Sequence, residues 1–190
     1  MKQYTKKIEP EKFEDVPELI DQRFDSNLPD EIVRLAVIQK MVHDGVSYHH
    51  SGHGPVSPSK MLGKLSGDCE DHSALLASLY KAAGFNVTVV RVKTGSGYHV
   101  LPEVENPLPA IEETCDHLRK FYWKNFNLYP ENISYEEYDS RYWFPVDTAG
   151  DEKAGWCRYV GDISSYIPDT VREKSGGEWE WKKSGGRIEV

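Results

Sequence analysis

The chain has 190 residues, of which 38% are hydrophobic and 12% aromatic, and its formal net charge is −8. This length suits one domain with a full hydrophobic core, and the composition is that of a folded globular protein. The negative charge argues against nucleic acid or an anionic membrane as the main partner, and no apolar run approaches the roughly 20 residues of a membrane-spanning helix.

The cysteines indicate the compartment. Cys69, Cys115 and Cys157 are an odd and sparse set, not a disulfide framework. The basic residues among positions 1–7 are followed by no apolar stretch, so no secretory signal is predicted. We therefore expect a cytoplasmic protein, in which a free thiol remains reduced.

The first third of the chain predicts an arm followed by a helix. Residues 1–28 are polar and are interrupted by prolines, which favours a wrapping N-terminal arm with a short helix from Val16 to Phe24. Pro29 opens a helix that Gly45 ends. Its apolar residues recur at spacings of three and four, with Gln39 on the same stripe, so a broad face is predicted to be buried.

A loop rich in His and Gly follows at residues 46–55. Its histidines, His49, His50 and His53, could bind a metal together with Cys69, although their spacing matches no common zinc pattern. The alternative, which the sequence favours, is a polar loop on the rim of a groove. A metal-binding domain stays open as one function of the chain.

The most informative stretch begins at Ser66 and ends at Gly84. Asp68 is a candidate N-cap, the following acids suit the first turn, and an apolar helix continues to the glycine. Cys69 is therefore predicted at or near the first helical position. Backbone N–H groups and the helix dipole favour a thiolate there, whereas the adjacent acids oppose it, so a histidine partner would matter more.

Strands are predicted on either side of a long inserted segment. Residues 85–93 form a β-branched strand, and its partner begins at Tyr98 and carries His99 until Pro102 breaks it. The insertion, residues 102–141, contains a predicted helix from Ala110 to Lys124 with Cys115 as an inert buried thiol. It is either an insertion with its own small core or a lid over a cleft.

The C-terminal part is predicted to return to strands. Arg141–Asp147 forms one strand and Trp156–Gly161 another. Residues 168–190 alternate well enough for a terminal hairpin with its turn at Ser184–Gly186, and a tail is the alternative.

The order of these elements suits a thiol nucleophile. Cys69 starts a helix, and His99 and Asp147 follow on strands, which matches the groups of a Cys-His-Asp triad. We predict an α+β fold in which the nucleophile lies at the N-terminus of a helix packed on an antiparallel sheet that carries the histidine and the aspartate. Attack on an amide carbonyl would form a thioester, which water or an amine would resolve.

Four features follow one another along the chain: Gly67–Asp71 before an Ala/Leu helix, the Val89–Val92 strand, His99 and Trp143–Asp147. Together they resemble the transglutaminase-like superfamily, which is built on a papain-like core. The resemblance implies one domain over residues 1–190, with Cys69 as nucleophile, His99 as base and Asp147 as the group that orients it. It implies a protein or peptide substrate, with amide or isopeptide hydrolysis favoured over acyl transfer. Tyr48 would line the groove beside the nucleophile. Tyr98 and Trp143 are the other predicted groove residues.

The acids around Cys69 are also similar to those of calcium-dependent bacterial transglutaminase-like cysteine proteinases. This similarity implies that Asp68 and Glu70 are Ca²⁺ ligands. The alternative is that these acids only cap the helix. The proposed catalysis itself requires no cofactor. A catalytically silent binding module on the same scaffold is the rival function. The presence of Cys69, His99 and Asp147 together argues against it.

Overall fold

A computed structural model describes residues 5–24, 26–50, 54–94, 97–149, 157–163, 171–173, 179–181 and 183–190. Their α-helices are α1 (Val16–Arg23), α2 (Asp30–Gly45), α3 (Pro58–Lys64), α4 (Cys69–Ala82) and α5 (Ile111–Phe126). Their β-strands are β1 (Ser47–Tyr48), β2 (Ser66–Gly67), β3 (Val87–Thr94), β4 (Gly97–Glu105), β5 (Glu136–Tyr138), β6 (Arg141–Pro145), β7 (Val171–Glu173), β8 (Trp179–Trp181) and β9 (Lys183–Glu189).

The main sheet is antiparallel and carries the predicted histidine in its centre. Its five strands lie in the order β5-β6-β4-β3-β9, and His99 in β4 faces Val92 in β3. Helix α4, which begins at Cys69, packs on β4. The predicted α+β class, with the cysteine helix on an antiparallel sheet, is confirmed.

One hydrophobic core joins the helices to the sheet. Apolar residues of α2, α4 and α5 belong to the same buried cluster as Val89 and Val104 of the sheet. The inserted segment therefore contributes α5 to the central core and does not build a core of its own, because Leu118, Phe121 and Tyr122 are fully buried there. On the other face of the sheet a smaller cluster forms, whose members are Val90, Val92 and Leu101.

Proline does not end β4, contrary to the prediction that Pro102 would break it. The strand continues through Pro102, which pairs with Val89 of β3, as far as Glu105. Proline lacks an N–H but keeps its carbonyl, and the Pro102 carbonyl accepts a hydrogen bond of 3.0 Å from the N–H of Val146. The Pro102 carbonyl is thus enough to hold Val146, in the segment that follows β6, beside β4.

The C-terminal predictions need two corrections. Trp156 lies outside the described residues, and residues 157–163 form a turn with Gly161 at a φ of +77°, not a strand. Ser184–Gly186 is not a hairpin turn, because these residues lie within β9, which pairs with β3, while β8 pairs with β7. None of the helices in the described part of the chain is long and apolar enough to cross a membrane.

Candidate active site

The first turn of α4 leaves one backbone donor for a ligand. Asp68 caps the helix, its Oδ1 accepting from the N–H groups of Glu70 (3.0 Å) and Asp71 (3.3 Å), and its carbonyl accepts from the N–H of His72. Asp71 Oδ2 accepts from the Asp68 N–H at 3.1 Å and closes a capping box. Among the described residues no acceptor meets the N–H of Cys69, which is therefore available to donate to a bound group.

Glycine is required immediately before this cap. A Cβ on Gly67 would lie 2.6 Å from Asp71 Cβ and 3.0 Å from Met61 Cε, so any side chain would displace the carboxylate that closes the capping box. The loop is held on its other side by β1, where Gly67 pairs with Tyr48 and its carbonyl accepts from the His49 N–H at 2.8 Å. Asp71 Oδ1 also accepts from the Val56 N–H at 2.7 Å. The loop that precedes Cys69 is thus fixed from several directions.

Ser73 joins α4 to the strand that carries His99. Its Oγ lies 2.7 Å from the Cys69 carbonyl oxygen and 2.8 Å from the Val100 carbonyl oxygen. The hydroxyl has one proton and donates to either carbonyl. Because Val100 follows His99 directly, this contact holds the first turn of α4 beside the imidazole.

The imidazole of His99 lies between the other two predicted catalytic groups. Its Nε2 is 2.7 Å from Asp147 Oδ2, and the second carboxylate oxygen accepts from the N–H groups of Thr148 (2.7 Å) and Ala149 (2.9 Å). The Cys69 side chain also hydrogen-bonds to His99. Since Nε2 is engaged by Asp147, Nδ1 is the ring nitrogen left for the thiol.

Electrostatics favour the charged form of this histidine. Burial lowers its pKa, but the Asp147 charge and hydrogen bond, together with the hydrogen bond and charge of Cys69, outweigh burial and raise the pKa of His99 to about 10. Asp147 is 1% exposed and His99 12%, so solvent screens the pair weakly. An imidazolium is therefore the stable form beside Cys69 at neutral pH, which is the partner that a thiolate requires.

The three predicted groove residues have different surroundings. Tyr48 is partly exposed on β1, beside the loop that leads into Cys69. Tyr98 is 56% exposed, and the Arg91 guanidinium lies 3.9 Å above its ring. Trp143 is 1% exposed, and its Nε1 donates to the Tyr138 carbonyl at 3.4 Å. Tyr48 and Tyr98 are thus accessible to solvent, whereas Trp143 belongs to the core.

The predicted metal ligands are engaged in other contacts or exposed. Asp68 Oδ1 accepts two N–H groups of the helix, and Glu70 is half-buried with its pKa raised by desolvation and by the charges of Asp68 and Asp71. His49 and His50 are exposed, and His53 lies outside the described residues. Within the described part of the chain no three His, Cys, Asp or Glu side chains are grouped so as to hold a metal ion.

Two buried polar residues near Asp147 were not predicted as part of the site. Gln39 Nε2 donates to the carbonyls of Asp147 (3.3 Å) and Cys157 (2.8 Å). The Tyr122 hydroxyl lies 3.4 Å from Gln39 Oε1 and 3.3 Å from the Ala36 carbonyl oxygen, and its one proton is donated to either. His72, one turn after Cys69, lies 2.8 Å from the Thr148 hydroxyl. The sequence gives one indication for Gln39, because an amide on the otherwise apolar stripe of α2 must find hydrogen-bond partners when it is buried.

Known proteins offer little resemblance to this chain. No protein-family model matches it, and no curated protein does. Among solved structures it is similar to the crystal structure of a "Putative Cysteine Protease from Cytophaga hutchinsonii", with a TM-score of 0.43 and 14% identical residues. The likeness covers 52% of this chain and 34% of that protein, so the chain spans about a third of the neighbour's length.

Proposed function

We propose that the protein is a thiol-dependent hydrolase of the transglutaminase-like superfamily that cleaves amide bonds in a protein or peptide substrate. The observation that carries this proposal is the His99 imidazole, which lies 2.7 Å from Asp147 Oδ2 and whose pKa is raised by the charge and hydrogen bonding of both Asp147 and Cys69. A buried His-carboxylate pair beside a partly exposed cysteine at a helix start is the set of groups needed for nucleophilic catalysis.

Acylation begins with the proton of the Cys69 thiol on His99 Nδ1. The sulfur forms a bond to the amide carbon, and the carbonyl electrons move to oxygen, where the Cys69 N–H donates to the developing charge. The carbon–nitrogen bond then breaks, and His99 gives its proton to the departing amine. Asp147 holds the imidazole in one orientation throughout and stabilises its positive charge. The product is a thioester on Cys69.

Deacylation repeats these steps with water. His99 takes a proton from the water, whose oxygen attacks the thioester carbon, and the carbon–sulfur bond breaks. The sulfur leaves as a thiolate beside the protonated His99, so the starting pair is restored and a carboxylic acid leaves. An amine in place of water would give acyl transfer, and we favour hydrolysis because it needs no binding site for a second substrate. No step is assigned to calcium, because Asp68 already serves as the helix cap and the described residues gather no set of ligands.

Cleavage of a proteome-derived peptide library tests the proposal. Wild-type protein is incubated with the library, with and without an added primary amine, and new termini or amine adducts are identified by mass spectrometry. Cys69→Ala is expected to abolish both, whereas Cys115→Ala, which removes a buried thiol of α5, is expected to retain them. Products that Cys69→Ala also makes would contradict the proposal, and an inert wild-type protein would favour the silent binding module.

A further inference from the structure

A second buried histidine lies within the candidate site and takes no part in the proton transfers described above. His72 is on α4, one turn after Cys69, and its side chain is fully buried. Its Nδ1 lies 2.8 Å from Thr148 Oγ1, and its Nε2 lies 3.5 Å from the Ser47 carbonyl oxygen. The ring therefore touches three segments: the nucleophile helix, β1 and the residues that follow β6.

The contacts define which ring nitrogen carries the proton. Burial lowers the pKa of His72, although the charge of Asp147 and the hydrogen bond to Ser47 oppose it, so the neutral ring is favoured. A neutral imidazole has one donor and one acceptor. Nε2 faces a carbonyl and must donate, so Nδ1 accepts the proton of the Thr148 hydroxyl.

Thr148 transmits this contact to the catalytic carboxylate. Its N–H donates to Asp147 Oδ1 at 2.7 Å, while Asp147 Oδ2 lies 2.7 Å from His99. The N–H groups of Thr148 and Ala149 therefore orient the carboxylate together, since both donate to Oδ1. Its side chain is 2% exposed, so the hydroxyl and the imidazole satisfy each other away from water.

We propose that His72 and Thr148 form a positioning pair that holds the Asp147 carboxylate against His99 and ties it to the helix of the nucleophile. The inference rests on the proposed function, because it assigns His72 a role toward that triad. An apolar residue would fill the same space at lower desolvation cost. The imidazole is explained by the need for an acceptor toward Thr148 and a donor toward β1 in one rigid side chain.

Substitution of Thr148 tests the pair with a matched control. Thr148→Val keeps the shape and removes the hydroxyl, whereas Thr148→Ser keeps the hydroxyl. Titration of His99, followed by NMR with ¹⁵N-labelled histidine in the full chain, is the decisive measurement. In Thr148→Val the pKa of His99 is expected to fall, and the rate of Cys69 alkylation at pH 6 to fall about tenfold, the order expected when one buried hydrogen bond is lost. Thr148→Ser should restore both values.

A second pair of variants guards against misfolding of the first. His72→Asn keeps an acceptor near the position of Nδ1, whereas His72→Leu removes it, and circular dichroism verifies the fold of each. A folded Thr148→Val or His72→Leu protein with the wild-type His99 titration would overturn the positioning role. Failure of the proposed function looks different: Cys69 in the wild type would then react no faster than in His99→Ala, while the His99 titration would still report on the pair.

Discussion

The start of α4 and the second turn of α5 each present a cysteine on a helix that packs into the same core, and their surroundings differ. Cys69 is partly exposed, its backbone N–H has no acceptor among the described residues, and His99 hydrogen-bonds to its side chain. Cys115 lies inside α5 on an apolar stripe, and burial raises the pKa of its thiol to about 11.

The difference teaches that position along the helix and the neighbouring strand decide the chemistry of a cysteine. In the middle of a helix the backbone N–H groups are used within the helix, so none is left to favour a thiolate or an oxyanion. At the start of α4 the Asp68 cap uses two N–H groups and leaves that of Cys69. The sheet then supplies the imidazole of His99, since the imidazole of α4, His72, is directed at Thr148 and Ser47.

The largest expected effect is selective alkylation. With a pKa of about 11, Cys115 is ionised to roughly one part in 10⁴ at pH 7. We expect iodoacetamide to label Cys69 on the order of 10³ times faster than Cys115 in native protein, as read by peptide mass spectrometry. His99→Ala should slow Cys69 and leave Cys115 unchanged. Equal labelling of the two cysteines would remove the contrast between the helices.

Removal of the carboxylate charge is expected to have an effect of similar size. Asp147→Asn keeps the size of the side chain but loses the charge that stabilises the imidazolium and fixes its tautomer, so peptide cleavage should fall roughly 10³-fold. Asp44→Asn, at an exposed position on α2, is the control and should retain activity. Steady-state kinetics of both variants measures the effect, and an active Asp147→Asn protein would exclude the aspartate from the triad.

Much of this contrast could be predicted from the sequence, because it depends on local patterns. The cap at Asp68, the apolar repeat of α4 and the strand around His99 are signalled by neighbouring residues. The continuation of β4 through Pro102 could not be predicted in this way, since it depends on Val146, which is far along the chain. For the same reason the contacts of Gln39 and His72 with the segment around Asp147 could not be predicted from the spacing of neighbouring residues, because the partners are far apart in the chain.

Stability should also depend on pH through His99. Its pKa is raised from 6.5 to about 10 in the folded protein, so its contribution to the free energy of unfolding is complete below about pH 6.5 and is lost as the pH rises through about 10. Urea unfolding at pH 6, 8 and 10 should show an advantage of wild type over His99→Gln that shrinks at high pH. An advantage that stays constant with pH would mean that His99 is neutral in the native state.

The smallest expected effect concerns the close packing that precedes Cys69. Gly67→Ala places a Cβ 2.6 Å from Asp71 Cβ, so the capping box must open, at a cost of about 1–3 kcal/mol in the free energy of unfolding. Gly63→Ala in α3 meets no atom within 4 Å and should be neutral or stabilising by about 0.5–1 kcal/mol, since alanine favours a helix over glycine.

Alkylation of Cys69 in these two glycine variants separates the cap from general stability. If the capping box places the Cys69 N–H and thiol beside His99, the labelling rate should fall in Gly67→Ala at a pH and temperature where both variants are folded, and it should stay at the wild-type value in Gly63→Ala. A Gly67→Ala protein that is less stable but labels Cys69 normally would mean that the contact with β4 through Ser73 is sufficient to hold Cys69 beside His99.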